Sequence, residues 1–379
     1  MLLSIPAAHQ EVVTSLQFSP YYPSVFCSTS GDDTGALWDL RNSPDSCNIA
    51  KLVCHSDPVN HALFVEGRDQ LLLTASDDRT VACWDVREIS QPVGVIRGFG
   101  EGVNKMLRLP SGVPGGGGGG GSSNAVPSLL VACACDDGQV YVHSVGTPED
   151  SQPQNGLRSE NAHETLDSLG TLMDRFWVST NTVNDLALTP NPNLLLTASE
   201  DNAIRLWNIA PLLNGRATGD DRLVASFEEF EDPVNHIAVR YSSPPNEVPR
   251  GFDSATPSST CWLYAACSEF VFAVDLDPIN GVFGGEARTF SGHQDYVRGL
   301  EFFSEETLLT VSDDSTAIEW SLSTVQLVRQ VKLHEGLVMA SAMSAAKDIL
   351  VTGTDNGEIR AWSLPFSTET CCASSPCEA

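Results

Sequence analysis

The sequence predicts an all-β fold: a propeller of seven four-stranded blades closed into one ring. Three observations carry this expectation. The first is LLLTASDDRTVACWDVR at Leu71–Arg87. An apolar run ends there in small polar residues, Asp77 and Asp78 make a turn, and Val81, Cys83 and Trp84 resume the apolar pattern. That is two short strands about an acidic turn. The second is recurrence, as VFCSTSGDDTGALWDLR at Val25–Arg41, LLLTASEDNAIRLWNI at Leu194–Ile209, LLTVSDDSTAIEWSL at Leu308–Leu322 and LVTGTDNGEIRAWSL at Leu350–Leu364. A phrase that returns at roughly 40–45 residues and ends in Trp-Asp signals blades stacked around an axis. The third is the short apolar start, Leu2 to Pro6, because the last copy ends near Leu364 after a third strand with no fourth. Open sheet edges invite association, so Leu2 to Pro6 is expected to supply the missing outer strand and close the ring.

The first two blades share a fixed grammar with the last two. A His precedes an apolar residue by nine positions with a Val between, as in His9, Val13, Phe18 and His55, Val59, Phe64, then His293, Val297, Phe302 and His334, Val338, Met343. Downstream come Ser or Thr, Asp and Trp, as Ser28, Asp32, Trp38, then Thr74, Asp78, Trp84 and Thr310, Asp314, Trp320. The third blade is degenerate: Phe99 stands at the His position and His143 at the Trp position, with Asp137 in the turn. Its strands are separated by a glycine run, Gly115 to Gly121, that reads as a loop. A polar insertion follows, with a short helix expected around Glu164 to Met173 and the outer strand reaching Trp177 and Val178. The fourth blade keeps Thr197, Asp201 and Trp207 but has Ser179 in place of His. The fifth is the weakest, with a strand at Val234 to Tyr241, a Pro/Ser-rich loop, and two strands over Cys261 to Asp275 that lack the acidic turn. The domain is thus expected to span residues 1–365, with insertions at about 111–126, 147–171 and 242–260. A Ser/Thr/Cys tail fills 366–379.

The repeated phrase resembles the WD-repeat family, and the resemblance covers nearly the whole chain to Leu364. It implies that His, Ser/Thr, Asp and Trp side chains hydrogen-bond in a line within one blade. A buried imidazole and carboxylate need such partners. The His–Asp–Ser sets are then structural rather than catalytic triads.

Composition bounds the rest. Asp and Glu number 49 against 21 Lys and Arg, for a formal charge of −28. Nucleic acid and anionic membranes reward clustered cations, so neither is expected as a direct partner. No apolar stretch approaches the ~20 residues of a membrane helix, and the start has no basic flank of a secretory signal. The 11 cysteines are expected to be reduced thiols of an intracellular protein, in cytoplasm or nucleus. Cys133 and Cys135 lack a second ligand pair, and no metal site is expected. A P-loop, a nucleophile elbow and a demand for a cofactor are all absent from the sequence. The expected function is therefore a non-enzymatic scaffold for protein partners, a subunit of a larger complex.

Two surfaces stand out. Relatives that grip an arginine or a peptide at the top of the channel use the residue after the inner Val and the residue before the turn Asp. Here the first set reads Thr14, Asn60, Asn104, Asn184, Asn235, Arg298 and Met339. The second includes Asp77, Asp136, Glu200, Asp313 and Asp355. Amides within a ring of carboxylates would suit the Lys or Arg of a basic segment. On the opposite side, Trp38-Asp39-Leu40-Arg41 and Trp84-Asp85-Val86-Arg87 resemble the box of WD-repeat substrate receptors of cullin-RING ubiquitin ligases. That resemblance implies a role for Arg41 and Arg87 in docking an adaptor. In ordinary propellers the same Arg pairs with a local carboxylate.

Overall fold

The structure, a computed structural model, describes residues 1–68, 70–110, 129–146, 170–214, 222–242, 260–277 and 279–366. Its strands form seven antiparallel sheets of four strands each. Six sheets use consecutive strands. In the remaining one the order is Leu3–Ile5, Ile359–Ser363, Ile349–Thr354, Val338–Met343, so the N-terminal strand is the outer strand of the last blade. Leu3 pairs with Ala361, Ser4 with Arg360 and Ile5 with Ile359. The ring is closed as the sequence predicts.

The core is divided among the seams between blades. Seven apolar clusters are present, and each joins two neighbouring blades. Ile5 packs with Val13, Phe26 and Trp38 of the first blade and with Val351 and Ile359 of the last. No blade covers both of its own apolar faces, so each depends on two neighbours. The inner strands open on Val13, Val59, Val103, Val183, Val234, Val297 and Val338, all fully buried. Directly after each of them the ladder slips by one residue. A bulge at that place lets two successive side chains face the axis. The turns between second and third strands also repeat. The residue after the turn Asp is left-handed in blade after blade, as at Asp33 (φ 65), Arg79 (φ 64), Asn202 (φ 62) and Ser315 (φ 69).

The polar lines within the blades are present where the sequence keeps the grammar. In the second blade His55 Nδ1 meets Asp78 Oδ2 at 2.9 Å, His55 Nε2 meets Thr74 Oγ1 at 2.9 Å, and Trp84 Nε1 donates to Thr74 Oγ1 at 2.9 Å. One assignment of protons satisfies all three: the indole donates to the hydroxyl, the hydroxyl to Nε2, and Nδ1 to the carboxylate. The first blade repeats it with His9, Asp32, Ser28 and Trp38, and the sixth with His293, Asp314, Thr310 and Trp320. Burial pushes the Asp78 and Asp314 carboxyls up. Their hydrogen bonds outweigh it and hold both at about 2.

The departures are filled by other residues. In the third blade the Tyr141 hydroxyl donates to Asp137 Oδ2 at 2.7 Å and accepts from the Gly100 amide at 3.1 Å, while Phe99 packs on His143 at 4.9 Å. In the fourth, Arg205 Nη1 reaches Asp201 Oδ2 at 2.8 Å, on the carboxylate that a His would meet. In the seventh, Glu358 rather than Asn356 pairs with His334, at 3.2 Å. The helix expected around Glu164 to Met173 is corrected in its described part. Gly170–Trp177 is an outer strand, and its pairing with Gln139–Val145 satisfies backbone groups that a helix there would leave the sheet without. Residues 164–169 lie outside the described residues, as does most of each expected insertion; residues 170, 171, 242 and 260 are already paired in strands. Phe366 is buried, and its carbonyl accepts from Arg329 at 2.5 Å. The rest of the expected tail is outside the described residues.

Deleting residues through Pro6 should lower the melting temperature sharply, at a cost of several kcal/mol, since it exposes a strand edge and opens the seam around Ile5. A truncated protein that melts like the intact one would show that closure contributes nothing. A second expectation concerns acid. Burial holds the His334 imidazole at about 4. Between pH 6.5 and 4 the unfolded chain takes up a proton that the folded chain refuses, so stability should fall as pH falls through that window. The loss should be on the order of 2 kcal/mol. Denaturant melts of the native chain and of His334→Asn across this range check it: the variant should show the shallower slope.

Candidate functional site

The inner strands of seven blades surround a channel of about 500 Å³, and its wall includes Thr14, Asn60, Asn104, Asn184, Asn235, Arg298 and Met339. The residues before the turn Asp sit beside it. The backbone amides of Asp77, Asp136, Glu200, Asp313 and Asp355 bond to the carbonyls of Pro58, Gly102, Thr182, Tyr296 and Leu337. Each of those carbonyls belongs to the residue just before the inner Val of the same blade. This common placement sets the five side chains on one rim, at the end where the inner strands begin.

The amides have definite partners. Asn60 Nδ2 donates to Asp77 Oδ1 at 2.5 Å and to the Val103 carbonyl at 3.3 Å. Asn104 Nδ2 donates to Asp136 Oδ1 at 2.7 Å and to the Val183 carbonyl at 3.2 Å. Asn184 Nδ2 donates to the Val234 carbonyl at 3.0 Å, and the Thr14 hydroxyl bonds to the Val59 carbonyl. Each of the first four blades thus ties itself to the inner Val of the next. Asn235 breaks the series, with a buried Nδ2 that finds no partner among the described residues. Arg298 in the next blade turns its guanidinium on Asp313 instead, with Nε at 2.9 Å and Nη2 at 2.7 Å.

The rim is therefore uneven. Asp313 is paired internally. Asp77 and Asp136, from adjacent blades, have amide donors and no cationic partner among the described residues. A Cβ placed on Gly102 would lie 2.8 Å from Asp77 Oδ1 and 2.8 Å from Asp136 Oδ2, so the two carboxylates converge there. Burial, then Asp136, push the Asp77 carboxyl above its usual range, against the Asn60 amide.

A second layer of the channel was not read from the sequence. The residue after each Asn is His61, Lys105, Asp185 and His236 in four successive blades, and all four line the channel. Asp185 is buried; Lys105 Nζ stands 3.3 Å from it, His236 Nδ1 contacts it, and the Ile237 amide donates to it at 2.9 Å. Burial alone would raise its pKa, yet these partners hold it well below the usual carboxylate range. His61 Nδ1 accepts from the Met106 amide at 3.3 Å, and burial, then the Lys105 charge, push the imidazole well below its ordinary pKa. Glu301 lies in the same channel, where desolvation pushes its carboxyl up to about 7 against the pull of Lys105. The signal was available, since four successive Val-x-polar registers carry it, but alternation about a bulge hides which of two neighbours faces inward.

At the other end of the blades, Arg41 Nη2 meets Asp39 Oδ2 at 2.6 Å and Arg87 Nη2 meets Asp85 Oδ2 at 2.6 Å. Both arginine side chains are largely exposed, at 72% and 62%. The two pairs have the same geometry in adjacent blades.

A family profile described as "WD domain, G-beta repeat" matches residues 2–39, 46–85, 170–208 and 284–321. The chain belongs to the WD40-repeat β-propeller family. It is similar to apoptotic protease-activating factor 1 of Rattus norvegicus, 23% identical over 96% of this chain and 26% of that protein. It is also similar to nuclear distribution protein PAC1 of Arthroderma benhamiae, 24% identical over 83% of this chain and 60% of that protein. The chain thus spans about a quarter of the first of these relatives and 60% of the second, less than two thirds of either. Among solved structures, the WD40 propeller domain of Doa1 superposes with a TM-score of 0.63 at 16% identity, covering 97% of this chain and 96% of that one. That likeness concerns the fold. No helix among the described residues is long and apolar enough to cross a membrane.

The ion group in the channel carries an expectation. Lys105→Met leaves Asp185 with fewer partners in a buried place, and should cost roughly 1–3 kcal/mol after allowance for the partly exposed lysine. Adding Asp185→Leu should recover part of that loss. Urea melts of the single and double variants measure it; independent, additive losses would mean the two side chains do not interact.

Proposed function

We propose that this chain is a non-enzymatic, intracellular scaffold that holds protein partners within a larger assembly, and that a basic segment of one partner docks on the acidic rim of the channel. WD40 propellers are generally protein-interaction scaffolds and usually non-catalytic. The observation that carries the finer reading is the convergence of Asp77 and Asp136 over Gly102 with no cationic partner among the described residues. Like charges held together destabilise the fold until a cation joins them. A guanidinium there can bridge two carboxylates from adjacent blades and still meet amide oxygens of Asn60 and Asn104. Glu200 and Asp355 extend the same rim. The His–Asp–Ser/Thr sets, which resemble catalytic triads in composition, are taken up in the lines between strands.

An arginine-rich peptide should bind the full chain with an affinity that falls several-fold between low and physiological salt. Asp77→Asn combined with Asp136→Asn should mainly slow association. Binding indifferent to both salt and the double variant would sink this reading.

The paired geometry of Arg41 and Arg87 supports a second reading, a substrate receptor of a cullin-RING ubiquitin ligase. Both guanidiniums are fixed by bidentate contact with the Asp before them and presented outward on one side. Under that reading, Arg41→Ala with Arg87→Ala abolishes recovery of the cullin adaptor in a pull-down while the fold survives. Adaptor recovered in unchanged yield, or none recovered by the native chain, would rule it out.

A further inference from the structure

One concave site on this acidic chain gathers guanidiniums. It lies at the seam of the fifth and sixth blades, at the end away from the acidic rim, and measures about 170 Å³. Arg240, Trp262 and Asp275 lie directly opposite one another on three adjacent strands, and Tyr264 follows on the same face. Arg288, from the outer strand, lays its guanidinium over the Trp262 ring, 4.3 Å from the centroid. Stacking fixes the plane of the guanidinium and leaves its N–H edge open to an acceptor. The sixth blade contributes Ser323, Glu305 and Glu306 from its connections. Arg240 Nη2 meets Glu305 Oε2 at 3.1 Å, with the Glu305 side chain 88% exposed and that of Arg240 17% exposed.

We propose that Arg240 and Arg288, with the hydroxyls of Tyr264 and Ser323, form a binding site for a phosphorylated serine or threonine side chain of a partner protein. The Glu305 carboxylate is an internal stand-in for the ligand: an exposed side chain whose charged end reaches the partly buried guanidinium. A phosphate monoester carries more charge and one more acceptor oxygen than a carboxylate, so it can displace Glu305 from Arg240 while engaging Arg288. A second carboxylate would bring no such advantage. The size of the concavity suits one tetrahedral group. An anionic bilayer is the poorer fit, because surfaces that hold one use clusters of about 4–8 basic residues, and this site has two on a chain of net charge −28. The site is separate from the acidic rim, and neither reading requires the other.

The test uses the full chain and two immobilised degenerate peptide libraries, one with a fixed phosphoserine and one with serine at that place. The native chain should be retained about tenfold better by the phosphorylated library, and inorganic phosphate should compete. Glu305→Gln should increase the preference. Arg288→Ala should remove it, and Arg288→Lys, which keeps the charge but loses the stacked fork, should restore only part. Circular dichroism melts confirm that these surface variants stay folded. Equal retention by the two libraries overturns the proposal. So does a preference that survives Arg288→Ala, or a chain that ignores the phosphorylated library yet sediments with phosphatidylcholine vesicles containing a phosphoinositide.

Discussion

The constraint on which this molecule depends is that every one of its sheets has an innermost strand with no strand beyond it. Backbone groups on that edge must be answered by something. At four of the seven seams the preceding blade answers them with side chains. Thr14, Asn60, Asn104 and Asn184 donate to the carbonyls of Val59, Val103, Val183 and Val234. Gln17, His61 and Asp185 accept from the amides of Phe64, Met106 and Ile237. The side chain always lies one blade earlier in the chain, whether it donates or accepts. Such a chain of contacts has a direction, and the strand Leu3–Ile5 closes the ring that holds it by pairing with Ile359–Ser363.

This use of the channel wall decides where ligands can act. The ionisable groups His61, Lys105, Asp185 and His236 deep in the channel have partners there, and the shifted pKa values of His61 and Asp185 follow from burial and from their neighbours. Asp185 with Lys105 and His236 pins the inner strands of three blades. What remains open lies at the ends. At one end two carboxylates meet without a cation; at the other, arginines stand on the outer parts of the blades. Arg298 shows the chemistry of the first in miniature, since its guanidinium grips Asp313 with two hydrogen bonds. On the proposed reading, the rim offers a cation site at Asp77 and Asp136, while Asp313 is already satisfied by Arg298.

The fold was legible because one residue set served two ends at once. Trp84 fills a seam and donates to Thr74, so the phrase that carries it cannot vary freely. The ring closure was legible from a missing strand. Less legible were the places where another residue performs a familiar task from a different position. Tyr141, Arg205 and Glu358 reach the line from strands or turns where spacing does not announce them. The strand Gly170–Trp177 reads partly as a helix because polar and apolar residues do not alternate along it: Leu172, Met173 and Trp177 are exposed while Asp174 is half-buried, which removes the period-2 signal. The channel charges escaped notice for a local reason, since the bulge after each inner Val places two neighbours on one side. Of the candidate rim, residue types were legible, but the pairing of Arg298 with Asp313 required coordinates.

The central functional claim is that Asp77 and Asp136 await a cation. Carbon-detected NMR of the Asp77 carboxyl in the full chain, titrated alone and with an arginine-rich peptide, addresses it most directly. The account predicts a pKa above the ordinary carboxylate range in the free protein that drops when the peptide binds, with proton release in the same pH range. An Asp77 that titrates normally when free, or that keeps its elevated value in the complex, would contradict it.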